Sequence, residues 1–181
     1  MAEHFMRIAF EEARNSEDPR TKVGACIVNR DGNVVGKGFN RFVKTLPEHK
    51  GTYPTVRECE TFAEYFATKY PFMLFAETDA IIKSRPNCPS LEGCTLYTLI
   101  FPYYEGAKMM VELGLKKVVF YSDKYGDKPF TKAAKTILER AGVEVEEFQT
   151  INNDVETEFR ALAKNTVLIP ERGMYNNDIS G

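Results

Sequence analysis

The sequence predicts an α/β fold, a three-layer α/β/α sandwich around a mixed five-stranded sheet. Two observations favour this class. The chain opens with a helical stretch followed by a β-hairpin, and helix-like and strand-like segments then alternate along the rest of it. Segments in this order pack as helices on both faces of one sheet. We expect a single domain over residues 1–165 and a C-terminal tail over residues 166–181.

Each predicted element has its own signal. In chain order the elements are a helix over 3–15, strands over 23–29 and 34–39, a helix over 75–84, a strand over 95–101, a helix over 104–113, a strand over 117–121, a helix over 129–141, a strand over 143–148 and a helix over 154–164. The first helix carries its apolar residues on one stripe, and the hairpin has Asp31-Gly32 between two β-branched runs. The fourth helix has Pro129 in its first turn and Gly142 after its end. The last strand alternates apolar and acidic residues, which is typical of a half-exposed strand.

Composition and charge restrict the possible partners. Apolar residues make up 43% of the chain and charged residues 28%, the balance of a soluble globular domain. The formal net charge of −2 gives no general attraction to long nucleic acids. No apolar run reaches the roughly 20 residues that span a bilayer, and the polar start of the chain is unlike a signal peptide. We expect no membrane partner, a cytoplasmic or alternatively nuclear location, and reduced cysteines.

Two short segments carry the functional interpretation. Residues 75–81 read Phe-Ala-Glu-Thr-Asp-Ala-Ile, and residues 101–106 read Phe-Pro-Tyr-Tyr-Glu-Gly. They resemble the H-x-E and P-C-x-x-C segments of the zinc-dependent cytidine deaminase-like superfamily. Over roughly residues 3–150 the chain resembles the deoxycytidylate (dCMP) deaminase family within it. Other segments that carry this resemblance are Asp18-Pro19, Val23–Asn29, Gly38-Phe39-Asn40, Thr68–Phe72 and Ser122-Asp123-Lys124-Tyr125.

The resemblance implies a zinc site whose ligands are replaced in this chain. Phe75 stands at the histidine position, and Tyr103 and Gly106 stand at the two cysteine positions, while Glu77 matches the family. Phenylalanine and glycine offer zinc no lone pair, and a phenol loses its proton only near pH 10. We therefore predict no zinc cofactor. We also predict no hydrolysis, because the family uses the metal to activate the attacking water.

The other histidines and cysteines do not suggest a replacement metal site. Two cysteines lie in or beside predicted strands, where small buried thiols are common, and no C-x-x-C or H-x-x-x-H spacing occurs. A second site built from Cys59 and His49 in the loop over 40–70 stays open as an alternative. The residues considered are His4, His49, Cys26, Cys59, Cys88 and Cys94.

The resemblance also implies residues that contact a nucleotide. Asn40 matches an asparagine near the sugar, Ala76 lies inside the catalytic segment, and Tyr125 can pack against a ligand. Glu77 matches the proton shuttle of the family, although we expect it to be inactive here. Arg41 replaces a family glycine, and it is either a solvated loop residue or a fork for phosphate.

The replaced residues have a structural and a ligand-binding interpretation. We expect the rings of Phe75 and Tyr103 to fill the space that the metal leaves, and stacking on a ligand is the alternative. The Glu77 carboxylate needs a hydrogen-bond partner when buried. The hydroxyl of Tyr103 or Tyr104 is one candidate, and the amino edge of a pyrimidine is another.

Three functional hypotheses remain open on this basis. The first is a catalytically inactive dCMP deaminase-like protein, a subunit or regulator in a homo-oligomer or in a hetero-oligomer with an active deaminase. Its candidate contacts are the apolar faces of 104–113 and 154–164, unless these faces pack on the sheet. The second hypothesis is a zinc-free module that binds pyrimidine nucleotides. The third is a dCMP deaminase with residual or repurposed hydrolase activity.

Overall fold

The computed structural model describes residues 1–18, 20–44, 63–64, 67–150, 154, 156–157 and 159–161. Four helices have their bounds within these ranges: α1 (Ala2–Ala13), α2 (Ala76–Ser84), α3 (Tyr104–Glu112) and α4 (Pro129–Arg140). Residues 63–64, 154, 156–157 and 159–161 are also helical. The strands are β1 (Gly24–Val28), β2 (Val34–Phe39), β3 (Arg41–Phe42), β4 (Met73–Leu74), β5 (Thr95–Ile100), β6 (Lys117–Ser122) and β7 (Glu144–Glu147). A short 3-10 helix, Tyr70–Phe72, precedes β4.

The main sheet has five strands in the order β2-β1-β5-β6-β7. Strand β1 pairs antiparallel with both β2 and β5, whereas β5, β6 and β7 run parallel to one another. The prediction of a mixed five-stranded sheet is therefore confirmed. Strands β3 and β4 form a separate two-stranded sheet that the sequence analysis did not predict.

Glycines let a helix approach each face of the sheet. A side chain at Gly24 in β1 would place its Cβ 2.0 Å from the carbonyl oxygen of Ala9 in α1. A side chain at Gly38 in β2 would place its Cβ 2.3 Å from the carbonyl oxygen of Ala76 in α2. Gly38 pairs with Ala25, the neighbour of Gly24, so the two glycines face opposite sides of the sheet. Helices α1 and α2 therefore form the outer layers of the predicted sandwich.

The core extends to the C-terminal part of the described chain. Helix α1 buries five residues against the sheet: Phe5, Met6, Ala9, Phe10 and Ala13. The ring of Phe10 stacks on Phe159 with 4.9 Å between centroids, and Phe159 is fully buried. Helix 154–164 was predicted with Val155, Phe159 and Leu162 on one face; Val155 and Leu162 lie outside the described residues.

One expectation changes, and others lie outside the described residues. Strand β7 is exposed along its whole length, not half-exposed, because it is the last strand of the sheet. Lys117 of β6 forms ion pairs with two glutamates of β7, with Glu144 at 2.7 Å and with Glu146 at 2.5 Å. Most of the loop over 40–70, the pair Cys59 and His49, and the predicted tail over 166–181 are not described. Among the described residues, no helix is long and apolar enough to cross a membrane.

Candidate functional site

A cavity of about 270 Å³ opens at the carboxyl ends of the parallel strands β5 and β6. Ligands of open α/β sheets bind at this edge. The loop before β1, the end of β2 and the first turns of α2, α3 and α4 contribute side chains to it. The lining residues are Asp18, Thr21, Val23, Asn40, Tyr70, Phe75, Glu77, Ile100, Phe101, Tyr103, Tyr125, Lys128 and Phe130.

Glu77 lies between the N-termini of α2 and α3. Its side chain is only 4% exposed, and the backbone N–H of Tyr103 donates a hydrogen bond to Glu77 Oε1 at 3.0 Å. The buried carboxyl group therefore has a hydrogen-bond partner, as predicted, and a backbone amide supplies it. Burial raises the pKa of Glu77 from 4.5 to about 7, and the backbone hydrogen bonds oppose part of this rise. Near neutral pH the carboxyl group can therefore be a donor as well as an acceptor.

Glu77 also occupies the space above Gly106. A Cβ at position 106 would lie 2.4 Å from Glu77 Cγ and 2.9 Å from Glu77 Oε1. Any larger residue at 106 therefore requires the Glu77 side chain to move. The glycine lets the carboxylate sit against the first turn of α3, where the helix dipole favours a negative charge.

Five rings form a continuous surface along the cavity, which we call the aromatic wall. The centroid distances along it are 6.5 Å for Tyr70–Phe75, 4.9 Å for Phe75–Tyr103, 5.0 Å for Tyr103–Phe130 and 6.2 Å for Phe130–Tyr125. All five rings line the cavity and are only half-buried. We expected Phe75 and Tyr103 to fill the space that the metal leaves. A cavity remains open beside both rings, and the filling of the metal space itself stays a prediction.

Asn40 joins β2 to the start of α2. The side chain is 4% exposed; its Oδ1 accepts a hydrogen bond from the N–H of Ala76 at 2.9 Å, and its Nδ2 donates to the carbonyl oxygen of Thr21 at 3.3 Å. Asn40 thus caps α2 from another element. Ala76 is fully buried and does not line the cavity, and this bond uses its N–H. Of the four predicted site residues, Asn40, Glu77 and Tyr125 surround one cavity and Ala76 lies behind it.

The comparison with known proteins agrees with this architecture. Residues 1–122 match the family described as the cytidine and deoxycytidylate deaminase zinc-binding region. The chain belongs to this deaminase family. It is 38% identical over 146 residues to deoxycytidylate deaminase from Mus musculus, covering 81% of this chain and 78% of that protein. The same identity and coverage hold for the Homo sapiens protein.

A solved structure of the deaminase family has the same fold. The dCMP deaminase of the cyanophage S-TIM5, crystallised with dCMP and dUMP, superposes with a TM-score of 0.61 at 27% sequence identity. The match covers 81% of this chain and 95% of the cyanophage chain. The family resemblance and the fold predicted from the sequence are therefore confirmed.

The family implies zinc, but the residues present here do not fit that ion. Glu77 is the carboxylate that lies against Gly106, and its Oε1 accepts a hydrogen bond from the backbone N–H of Tyr103. The other two candidate side chains there are aromatic rings, of which only the Tyr103 phenol has an oxygen. Within the described ranges no group of three or more His, Cys, Asp or Glu residues is placed to hold a metal.

The sequence analysis missed a buried ion pair beside the cavity. Asp18 is 3% exposed and forms an ion pair with Lys69, which is 5% exposed. Asp18 Oδ1 also accepts hydrogen bonds from the backbone N–H groups of Arg20 at 2.8 Å and Thr21 at 3.1 Å. The pair joins residues 51 positions apart, so no local pattern could reveal it. It neutralises a carboxylate that lines the deaminase-family cavity.

Arg41 is neither a solvated loop residue nor a phosphate fork, so that expectation was wrong. It is 8% exposed, and its Nε donates to Asp79 Oδ1 at 2.7 Å. Asp79 is fully buried; it also pairs with Lys83 at 2.6 Å and accepts a hydrogen bond from the Phe39 N–H at 3.3 Å. We call Arg41, Asp79 and Lys83 the α2 ion cluster. The cluster ties α2, which carries Glu77, to β3, and the Phe39 N–H ties Asp79 to the end of β2.

The described cysteines belong to the core and do not line the cavity. Cys26 and Cys94 are buried, whereas Cys88 is half-buried. Burial is the main reason that the pKa of Cys26 is raised to about 12 and the pKa of Cys94 to about 11. Thiols with such high pKa values are poor metal ligands and poor nucleophiles near neutral pH.

Proposed function

We propose that this chain is a catalytically inactive dCMP deaminase-like protein that binds a pyrimidine nucleotide without deaminating it. One observation carries the proposal. The cavity stays open and is lined by Asn40, Glu77 and Tyr125, although Phe75 and Gly106 offer no metal-ligating atom. Loss of the metal donors with retention of the cavity supports binding without hydrolysis.

The lost step is the activation of water. Free water has a pKa near 15.7, and deaminases of this superfamily lower it with zinc. A carboxyl group such as Glu77, with a pKa of about 7, is a weak base toward such water. We therefore expect residual deaminase activity to be absent, and its detection would favour the third hypothesis.

The retained cavity has features that suit a small nucleotide. Its volume of about 270 Å³ lies just below the range of about 300–1,000 Å³ that is common for small-molecule sites. Thr21 and Asn40 add polar groups to the cavity lining, and the Thr21 hydroxyl lies 3.4 Å from the hydroxyl of Tyr125 in the aromatic wall. Lys128 also lines the cavity, is exposed, and forms no ion pair with any described residue, so it offers a positive charge to a phosphate.

The subunit hypothesis has less support from the described contacts. The predicted contact face of α3 includes Met110, which is fully buried in the core, and Met109 and Leu113 pack against the same core. This face is therefore used within the chain. Assembly into a homo-oligomer, or with an active deaminase, stays a prediction that the family implies. A cytoplasmic or nuclear location stays a prediction from the sequence composition.

Calorimetric titration with dCMP tests the proposed function. We expect a dissociation constant in roughly the micromolar-to-millimolar range, because base and sugar contacts remain while metal contacts are lost. Thr21→Trp places an indole into the cavity and should abolish the binding heat. Thr136→Trp, on the exposed face of α4, is the matched control and should bind as the parent does. Equal binding by both variants would contradict the proposal.

The metal content gives a separate prediction. Protein purified without added metal should hold well under one zinc per chain, because the site offers at most one carboxylate and one phenol. Plasma emission spectrometry measures this, with a zinc-containing deoxycytidylate deaminase purified in parallel as the control. One zinc per chain that is lost in Glu77→Gln would show that the site still binds metal.

A further inference from the structure

The aromatic wall exposes an unusual amount of apolar surface inside a cavity. Each of its five rings is half-buried, and each contacts the next at a centroid distance between 4.9 and 6.5 Å. Rings that only fill space pack until they are buried. Contiguous apolar surface that stays accessible in a concave site is typical of a ligand site. The wall therefore has the form of a surface that another flat group covers.

We propose that Phe75 and Tyr103, at the positions where the family implies metal ligands, bind the nucleobase by stacking. The inference rests on the proposed function and assigns these two residues a role within it. In this arrangement the rings replace metal-dependent contacts with stacking, which needs only the π-face of the base. The replacement of the metal ligands thus converts a catalytic position into a binding surface.

The position of Glu77 supports a base at this place. The backbone N–H of Tyr103 holds Glu77 Oε1 at 3.0 Å, so the carboxyl group lies beside the ring that would carry the base. A pyrimidine offers a donor and an acceptor at its edge, and a carboxyl group at this place can pair with that edge. Stacking and edge contact together would favour a nucleobase over a hydrocarbon of similar size.

The charges around the cavity favour an anionic nucleotide over a cation. Aromatic sites also bind quaternary ammonium groups, usually where negative charge adds to the attraction. Here Lys69 neutralises Asp18, and Lys128 adds a positive charge to a lining whose other carboxyl group, Glu77, accepts a hydrogen bond from the Tyr103 N–H. A nucleotide phosphate is attracted by Lys128, whereas an ammonium ion is repelled. We therefore commit to a nucleotide whose base lies on the wall.

Loss of a ring should weaken dCMP binding and spare the rest of the nucleotide. Phe75→Leu and Tyr103→Leu keep apolar bulk but remove the π-face, so each should raise the dissociation constant of dCMP about tenfold or more. Tyr103→Phe keeps the ring and is the matched control, which should stay within about twofold of the parent. Deoxyribose 5-phosphate lacks the base, and its weaker binding should not change in Phe75→Leu. Calorimetry measures the dCMP affinity of the three variants and the deoxyribose 5-phosphate affinity of Phe75→Leu.

A spectroscopic signature separates stacking from a structural effect. In the parent, the H5 and H6 protons of dCMP should shift upfield on binding, because the ring currents of the wall shield them. The shift should shrink in Phe75→Leu and persist in Tyr103→Phe. Should Phe75→Leu fail to fold, as judged by its thermal transition, Tyr103→Leu carries the same test.

The possible outcomes distinguish this inference from the proposed function. Parent-like dCMP affinity and an unchanged upfield shift in both leucine variants would overturn stacking and leave nucleotide binding intact. No binding of dCMP by the parent would overturn the proposed function together with the inference. Tighter binding of tetramethylammonium than of dCMP would also overturn it, because the wall would then bind cations.

Discussion

Asp79→Ala is expected to lower the free energy of unfolding by about 3–5 kcal/mol. Asp79 is fully buried, and its carboxylate is the partner of Arg41, which is 8% exposed. Removing the carboxylate leaves the guanidinium group buried without its counter-charge, and it also leaves the Phe39 N–H without its acceptor. Urea denaturation of the parent and the variant measures the difference.

An exposed ion pair of the same length provides the control. Lys108 and Glu105 are also 2.7 Å apart, but their side chains are 54% and 53% exposed. Glu105→Ala should therefore cost no more than about 1 kcal/mol. Similar losses in the two variants would contradict the view that the α2 ion cluster holds α2 to the sheet. Asp79→Ala should also weaken dCMP binding, because α2 carries Glu77 and begins directly after Phe75.

Glu77→Gln is expected to stabilise the protein at alkaline pH and to leave its stability at acidic pH unchanged. The pKa of Glu77 is raised from 4.5 to about 7 in the folded chain, mainly by burial. Between these values the folded chain holds the proton more tightly than the unfolded chain, so stability falls as pH rises through this window. The loss is complete above pH 7 and amounts to about 3 kcal/mol.

Glutamine resembles the protonated glutamate and does not titrate. The stability difference between Glu77→Gln and the parent should therefore be near zero at pH 4.5 and should grow to about 3 kcal/mol at pH 8. Urea denaturation at several pH values measures it. Glu105→Gln changes an exposed carboxylate and should give a difference with little pH dependence. A flat difference for Glu77→Gln would mean that the buried carboxyl group keeps an ordinary pKa.

The stability that the fold loses when Glu77 ionises is relevant to function. The fold does not need an ionisable group at position 77, since a glutamine can accept the same hydrogen bond from the Tyr103 N–H. A buried carboxyl group that lowers stability at neutral pH is therefore better explained by a ligand than by packing. The base edge proposed above is such a ligand.

Much of the fold follows from local patterns in the sequence. The Asp31-Gly32 turn, the alternation of helix and strand, and the Pro129 and Gly142 boundaries correctly predict the main sheet and the four described helices. Each of these signals lies within a few neighbouring residues. Strand β7 was assigned correctly, but its exposure depends on its place at the edge of the sheet, which no local pattern reveals.

The site could be predicted only in part. The resemblance placed Asn40, Glu77 and Tyr125 around one cleft, and the structure brings them to one cavity. The resemblance gave no signal that Arg41 pairs with Asp79, which lies 38 positions away in the sequence. Tyr70 and Phe130 also read as ordinary aromatic residues, because only the folded chain places them beside Phe75 and Tyr103. Burial and ring contacts between distant segments are tertiary properties.

Proton NMR of one sample of this protein mixed with dCMP tests the central claim most directly, because it reports binding and turnover together. The account predicts that the dCMP base resonances broaden and shift upfield, and that no dUMP resonances appear during prolonged incubation. Growth of dUMP signals that Glu77→Gln abolishes would show that the site still deaminates. A dCMP spectrum that the protein leaves unchanged at millimolar concentration would show that the cavity does not hold the nucleotide.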